Sequence, residues 1–268
     1  MYSPFDFNEA MGHRKDFVEE ALRPGSPAVG IAYEGGIALL SVQRSQRKIY
    51  EIYDRQMFSA IGRQADIENI RLASIQMTHQ EGFERSPDDV SVQRLVGFSL
   101  SPALKKAFGE QFASPFVIRA LFAELGRLPG SDTFFTLNYD GEFRQHTGVA
   151  VVAGTQGAED AMLEKIGELN PAFTREEALH KALAAWSVGA REAIKRHLAI
   201  GRDDSDDYNP LRDIDESEAD SVFLRDELKN GKLEVGLLER RGNRDSRFRL
   251  LSADELDKLI LAHVGSQA

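Results

Sequence analysis

The sequence predicts an α+β fold in which two β-sheets are packed between pairs of helices. Residues 25–62 contain short β-rich runs separated by Gly-containing turns, a pattern typical of hairpins. One of these runs, residues 37–42, is apolar at nearly every position, which indicates a strand covered on both faces. Such a sheet needs cover above and below, and strand and helix patterns elsewhere in the chain supply it.

The first half of the chain begins with a helical pattern. We predict a helix over residues 8–22, with Asn8 as the N-cap and Pro24 as the stop, and residues 1–7 as a short arm outside it. Four strands follow within residues 28–62. Helical spacing returns over residues 66–80 and 90–112, and Pro102 predicts a kink in the second of these helices.

The second half repeats this alternation. Strand patterns occupy residues 116–125, 132–139, 142–144 and 148–154, and two helices follow over residues 157–169 and 174–198. Thr174 and Glu177 form a capping box at the start of the second helix. Residues 201–220 carry nine acidic residues and two Arg, which indicates a solvated loop or mobile insertion. Strands at residues 232–238 and 248–251 precede a helix that ends near His263, so residues 1–268 form a single domain.

The composition excludes several classes of function. A formal net charge of −10 argues against a nucleic-acid-binding protein, which needs a basic surface. There is no Cys, and the six His lack ligand-like spacing, so we expect neither a metal nor another cofactor. No apolar run approaches the roughly 20 residues of a membrane span, and the first residues lack the features of a signal peptide. We therefore expect a cytoplasmic protein.

Several motifs, taken in order, resemble the proteasome family, and in particular bacterial α-type subunits of the actinobacterial kind. The motifs are Asn-Glu-Ala-Met at 8–11, Gly-Ser at 25–26, Lys-Ile-Tyr-Glu-Ile-Tyr-Asp-Arg at 48–55, Phe-Ser-Ala-Ile-Gly at 58–62, Asp-Ile-Glu-Asn-Ile-Arg at 66–71, Leu-Asn-Tyr-Asp-Gly at 137–141 and Val-Val-Ala-Gly-Thr at 151–155. Their order and spacing are more specific than any single motif. The acidic stretch at residues 201–220 is longer than this family leads us to expect.

The resemblance implies a four-layer αββα sandwich of the N-terminal-nucleophile hydrolase superfamily. It also implies that the chain is a non-catalytic subunit with no catalytic residues of its own. Copies would assemble into a homo-heptameric outer ring, stacked on a ring of β subunits that carries out proteolysis as a threonine-type endopeptidase. The outer ring would admit unfolded protein substrates through a gate and would dock a ring-shaped ATPase activator by the activator's C-terminal tail.

The resemblance also implies roles for individual residues. Lys48 would pair with the C-terminal carboxylate of the activator in a pocket lined by Gly25, with an ordinary lysine at a strand end as the alternative. Arg63 would be a further cation near the pocket. The arm would form the gate, with a frayed chain end as the alternative; its residues are Met1, Tyr2, Ser3, Pro4, Phe5, Asp6 and Phe7.

Two other functions stay open at this point. The first is a self-processing N-terminal-nucleophile hydrolase, because Ser26 aligns with the nucleophile of β-type subunits and follows Gly25. Pro27 and Val42 argue against it, since Val42 occupies the position where the catalytic family needs a supporting Asp. The second is a ring-forming scaffold without a protease partner.

Overall fold

Ten strands form two antiparallel five-stranded sheets in the part of the chain that the structure describes. A computed structural model describes residues 4–110, 113–128, 130–170, 172–200, 216–241 and 246–265. The strands are β1 (Ala28–Tyr33), β2 (Gly36–Gln43), β3 (Ile49–Tyr53), β4 (Gln56–Gly62), β5 (Ile118–Glu124), β6 (Thr133–Asn138), β7 (Phe143–His146), β8 (Val149–Val152), β9 (Lys232–Glu239) and β10 (Phe248–Leu250). The first sheet has the order β10-β9-β2-β1-β8 and the second has the order β3-β4-β5-β6-β7.

Helices cover the outer faces of both sheets. They are α1 (Pro4–Leu22), α2 (Gln64–Glu84), α3 (Val92–Arg94), α4 (Ser101–Gly109), α5 (Gln156–Ile166), α6 (Arg175–Ile200), α7 (Glu216–Asn230) and α8 (Ala253–Gly265). Residues of α5 and α6 pack on the first sheet, and residues of α2, α3 and α4 pack on the second. A third apolar cluster lies between the two sheets. The predicted α+β class and the αββα sandwich are confirmed.

Strand β2 shows how the sequence produces these layers. Leu39 points into the cluster between the sheets, whereas its neighbours Ala38 and Leu40 point into the cluster beneath α6. All three side chains are fully buried. A strand that is covered on both faces has no solvated side, so its sequence is continuously apolar instead of alternating, as predicted.

Strand β4 of the second sheet is likewise covered on both faces, so its successive side chains enter two different apolar clusters. Met57 contributes to the cluster between the sheets, and the next residue, Phe58, contributes to the cluster beneath α2. Phe58 and Phe122, which are register partners on β4 and β5, have ring centroids 5.0 Å apart. Aromatic rings at this distance stabilise a core by more than their buried area alone.

Helix α1 begins earlier than the sequence predicts. It starts at Pro4 instead of after Asn8, so four residues of the proposed arm have helical backbone, and residues 1–3 lie outside the described residues. Proline suits the first position of a helix, because its φ is preset and the N–H that it lacks would have had no helical partner. The predicted boundary at Asn8 is therefore wrong.

The predicted kink near Pro102 corresponds to a change of helix type. Residues Leu95–Leu100 form a π-helical segment between α3 and α4, and Pro102 lies in the first turn of α4. Extra residues in a helix turn shift the side chains around the axis, and Phe98 is 79% exposed in this segment. The irregularity lies just before the proline.

Helix α7 was not predicted. The sequence favoured a loop over residues 201–220, but residues 216–220 belong to α7, and the remaining residues of the stretch lie outside the described part. The capping box before α6 is confirmed, because the Glu177 carboxylate accepts from the Thr174 N–H at 2.8 Å and Thr174 Oγ1 accepts from the Glu177 N–H at 3.3 Å. No helix among the described residues has the length and apolar character of a membrane span.

Candidate functional site

Lys48 lies at the end of the second sheet where β3 begins. Its Nζ donates a hydrogen bond to the Ser26 carbonyl oxygen at 2.7 Å. Its main-chain N–H donates to Glu234 Oε2 at 2.8 Å, and Glu234 Oε1 accepts from Arg47 Nε at 3.2 Å. Glu234 is on β9 of the first sheet, so these bonds connect the two sheets at one end of the sandwich.

Burial controls the ionisation of this lysine. Lys48 is half-buried, and so is the hydrogen bond that its ammonium donates to Ser26. Burial lowers the pKa of Lys48 to about 8; the nearby Glu234 carboxylate opposes this shift and the Arg44 guanidinium adds to it. Burial also raises the pKa of Glu234, against the hydrogen bonds that it accepts. At neutral pH Lys48 therefore carries its charge. Keeping this charge partly out of water lowers the stability of the fold, and an anionic partner would reduce that loss.

Gly25 occupies a position without room for a side chain. A Cβ atom there would lie 2.9 Å from the Leu22 carbonyl oxygen and 3.0 Å from Ile61 Cβ. The N–H of Gly25 donates to the same Leu22 oxygen at 2.9 Å, which ends α1. Glycine therefore allows the chain to turn from α1 into β1 directly against the end of β4.

Ser26 is held as a structural residue. Its Oγ donates to the Val42 carbonyl oxygen at 2.8 Å, and its own carbonyl accepts from Lys48. The side chain of Val42 is buried and apolar. An N-terminal nucleophile needs a free α-amine as its base, whereas the nitrogen of Ser26 is in a peptide bond to Gly25.

The end of α1 covers this region of the sandwich. Val18 and Leu22 are fully buried, and they pack with Ile61, Val117 and Tyr139 of the second sheet and its loops. Cleavage between Gly25 and Ser26 would separate this packed helix from the strand that follows it. The packing therefore argues against α1 as a disposable propeptide.

Arg63 follows β4 at the same end of the second sheet as Lys48, but its contacts are with α1. Its guanidinium lies over the ring of Phe17, 5.7 Å from the centroid, and the main-chain N–H of Arg63 donates to the Val117 carbonyl oxygen at 2.8 Å. The residue is exposed. The structure thus brings Lys48 into contact with the Gly25-Ser26 segment. Arg63 contacts Phe17 and Val117 instead; it follows Ile61, a neighbour of Gly25, by two residues along the chain.

One residue of this site could not be found from the sequence. Glu234 holds Lys48 and Arg47 in place, although 186 positions separate it from Lys48. The run around Glu234 reads only as a buried strand, and no local spacing links it to β3. In the residues that the structure describes, no cluster of His, Asp and Glu could hold a metal ion.

The fold and the site together define a class of protein. Two antiparallel sheets lie between helical layers, and Ser26, which the sequence matched to an N-terminal nucleophile, lies within the chain behind a packed helix. The chain belongs to the proteasome subunit family, because the family model described as "Proteasome subunit" matches residues 22–196, more than half of the chain.

Curated relatives narrow the similarity to α subunits. The chain is 28% identical to "Proteasome subunit alpha" of Kineococcus radiotolerans over 75% of this chain and 88% of the relative. It is 29% identical to the protein of the same name from Thermobifida fusca, over 70% and 75% of the two chains. The corresponding protein of Xylanimonas cellulosilytica is 29% identical over 76% and 82%. The resemblance indicated by the sequence motifs is confirmed.

Proposed function

We propose that this chain is a non-catalytic α-type subunit of a bacterial proteasome core particle. Seven copies form the outer ring, which gates the admission of unfolded proteins and docks the C-terminal tail of a ring-shaped ATPase activator. A ring of β subunits carries out the proteolysis in the cytoplasm. The family match and the α-subunit relatives support the identity of the subunit.

The environment of Lys48 is the observation that carries the docking role. A lysine ammonium has three N–H donors, and the described residues of this chain provide one acceptor, the Ser26 carbonyl oxygen at 2.7 Å. The group is half-buried and charged at neutral pH, with its pKa lowered to about 8. A peptide carboxylate would supply both the missing acceptors and a counter-charge, which makes it a suitable partner for this group.

The absence of catalytic chemistry in this chain is supported by the surroundings of Ser26. Its hydroxyl is committed to the Val42 carbonyl oxygen, and Val42 offers no carboxylate. The competing hydrolase function would require the cleavage of Gly25-Ser26 and the release of α1, whose last turn is buried. These observations favour the α-type subunit over the hydrolase.

The gate is proposed for residues 1–7. Residues 4–7 form the start of α1, and residues 1–3 lie outside the described residues. If residues 4–7 take part in gating, they do so as the first turn of a helix, or the helix unwinds there, where the chain end has no preceding turn to hold it.

Co-assembly with the β subunit tests the proposed function. The purified chain is mixed with its β partner, and the intact mass of the chain and the peptide-hydrolysing activity are measured together. We expect the mass of the chain to stay unchanged and activity to depend on the β subunit. A mass that corresponds to cleavage before Ser26 would establish the hydrolase, and a ring that forms without stimulating any β subunit would establish the scaffold.

A further inference from the structure

A polar cleft of about 380 Å³ lies between the two sheets, where their edge strands β7 and β8 come together. Alternate residues of a strand face the same layer. Leu121 of β5 belongs to the apolar cluster between the sheets, so Arg119, two residues before it, faces the same layer. By the same alternation Thr136 follows Phe134 on β6. At this edge the layer between the sheets therefore changes from apolar to polar.

Arg119 is the most deeply buried cation of the cleft, and part of its guanidinium is unused. Its side chain is 12% exposed, and its Nη1 donates to the Ala153 carbonyl oxygen at 3.0 Å and to Glu159 Oε1 at 3.4 Å. A guanidinium has five N–H groups. Among the described residues neither Nε nor Nη2 of Arg119 has an acceptor; Nε is buried, whereas Nη2 is accessible. The two N–H groups of Nη2 are available to a ligand.

Glu159 of α5 is the matching anion. Its Oε1 accepts from the Ala153 N–H at 3.0 Å and from Arg119, whereas its Oε2 has no donor in the described part of the chain and is accessible. Burial raises the pKa of Glu159, against the hydrogen bond from Ala153 and the charge of Arg119. A further cation beside Oε2 would therefore stabilise the charged carboxylate.

The rest of the lining favours a ligand that carries both charges. The rim has charged side chains of both signs, namely Lys15, Glu19, Asp140, Glu142 and Arg144, so it selects neither a simple anion nor a simple cation. An apolar part is provided by Ala150 and Val152 of β8, which face the layer between the sheets, and by Leu163 of α5, which is 41% exposed.

We propose that this cleft binds a free α-amino acid with an apolar side chain. The carboxylate of the ligand accepts from Arg119 Nη2 and from the side-chain amide of Asn138, which also lines the cleft, and the ammonium donates to Glu159 Oε2. Both charged groups of an α-amino acid are attached to one carbon atom. Arg119 and Glu159 lie side by side, 3.4 Å apart, so a single small ligand reaches both.

The size of the cleft agrees with such a ligand. Apolar cavities of about 150 Å³ hold a benzene molecule, and clefts of about 300–1,000 Å³ are usual for small ligands. The cleft therefore has room for a whole leucine molecule, whose side chain lies over Ala150 and toward Leu163. Within a longer peptide, at least one of the two charged groups is replaced by an uncharged amide, so peptides are poorer ligands than the free amino acid.

This site goes beyond the proposed function and does not depend on it. The cleft lies at the β7 edge of the second sheet, whereas Lys48 lies beside β3, at the opposite edge. Lys48, Gly25 and Ser26 do not line the cleft. A failure of activator docking would leave the binding of amino acids unchanged, and a failure of amino-acid binding would leave activator docking unchanged.

Isothermal titration calorimetry of the purified full-length chain tests the proposal, with L-leucine as the probe. Two analogues each lack one charge: leucinamide lacks the carboxylate, and N-acetylleucine lacks the ammonium. We expect leucine to bind with a Kd below about 1 mM and each analogue to bind at least about tenfold more weakly, because each loses a charge-assisted hydrogen bond. Glycine, which has no side chain, also binds more weakly than leucine.

Two conservative variants assign the two ends of the ligand. Glu159→Gln should remove most of the preference for leucine over N-acetylleucine and keep the preference over leucinamide. Arg119→Lys should do the reverse, because a lysine ammonium there would bond to Ala153 and Glu159 and leave no donor for the carboxylate. Such opposite changes of preference cannot arise from unfolding, which weakens all ligands alike. Glu81→Gln is the matched control, since Glu81 is 19% exposed against 17% for Glu159 and pairs with Arg94 outside the cleft.

Each outcome bears on a separate part of the proposal. No saturable heat, together with no rise in the midpoint of urea unfolding, up to about 10 mM leucine would overturn it. Equal affinities for leucine and either analogue would show that the cleft does not recognise both charges. Equal effects of Glu159→Gln and Glu81→Gln on leucine binding would overturn the role of Glu159.

Discussion

Replacing Lys48 with Met separates a docking role for this residue from a structural one. Burial lowers the pKa of Lys48 from 10.5 to about 8, which corresponds to about 3 kcal/mol of destabilisation at neutral pH. This cost is complete below pH 8, where lysine is charged in both the folded and unfolded chains. It decreases as the pH rises above 8 and is gone above 10.5, where both are neutral.

Met removes this cost but also removes a hydrogen bond. The Ser26 carbonyl oxygen loses its donor, at a cost of about 1–3 kcal/mol for an acceptor that stays buried. The two effects oppose each other, so the free energy of unfolding of Lys48→Met should lie within about 2 kcal/mol of the native value. Urea denaturation of the full-length chain at neutral pH measures this difference.

The effect on activator docking has no such compensation. A hydrogen bond to a charged group contributes about 1.5–3 kcal/mol, so Lys48→Met should weaken the activator by about 10- to 150-fold. Because docking needs the protonated amine, the native affinity should also fall as the pH rises through 8, by up to about tenfold per pH unit. The variant should lack this pH dependence.

The assay is ATPase-stimulated peptide hydrolysis by assembled α and β rings, measured from about pH 6.5 to 9.5. Lys232→Met is the control, because Lys232 begins β9 near the same end of the sandwich but is exposed. Native-like stimulation of the Lys48→Met particle, with an unchanged pH profile, would refute the docking role. Strong destabilisation of the isolated variant would show that Lys48 is mainly structural.

Two further predictions concern stability and are checked by urea denaturation. Gly25→Ala should lower the free energy of unfolding by about 1–3 kcal/mol, because its Cβ would lie 2.9 Å from a carbonyl oxygen. Gly109→Ala is the control and should leave the free energy of unfolding unchanged, because no atom lies within 4 Å of the added Cβ. Equal effects of the two substitutions would contradict the role of crowding at Gly25. Asp132→Asn should cost about 3–5 kcal/mol, because it leaves the buried Arg240 guanidinium without its charged partner. Asp88→Asn, in an exposed pair, should cost under about 1 kcal/mol, and a similar loss in both variants would contradict the role of burial.

Elements with a strong local pattern could be predicted from the sequence. The continuously apolar β2 indicated a strand between two layers, and the pair of Thr174 and Glu177 indicated the start of α6; both were correct. In β2 the deciding interaction, burial of an apolar side chain, is repeated at successive residues. In α6 it lies within the first turn, between Thr174 and Glu177. The family motifs within residues 22–196 likewise gave the fold.

Features that depend on distant residues could not be predicted. The acidic composition of residues 201–220 indicated a loop, whereas the structure has α7 from Glu216. In α7, Phe223 packs near Trp186 and Glu227 pairs with Arg44, both of them contacts with distant parts of the chain. The start of α1 was misplaced because Asn8 is a good cap, but Pro4 suits a helix start equally well. The position of Lys48 relative to Ser26 follows from the sandwich as a whole. The pocket role of Lys48, Gly25 and Arg63 stays a prediction.

The packing of α1 also sets an order for folding. Its last turn is buried against Val117 and Tyr139, and Arg14 donates to carbonyl oxygens of Phe108 and Ala113, all of them about 90 or more residues later in the chain. Closing such a loop costs entropy that only the completed sheet repays. We therefore expect α1 to dock late during synthesis, after the chain has been extended through β5 and β6. The last turn of α1 then reaches its place only when the middle of the chain has folded.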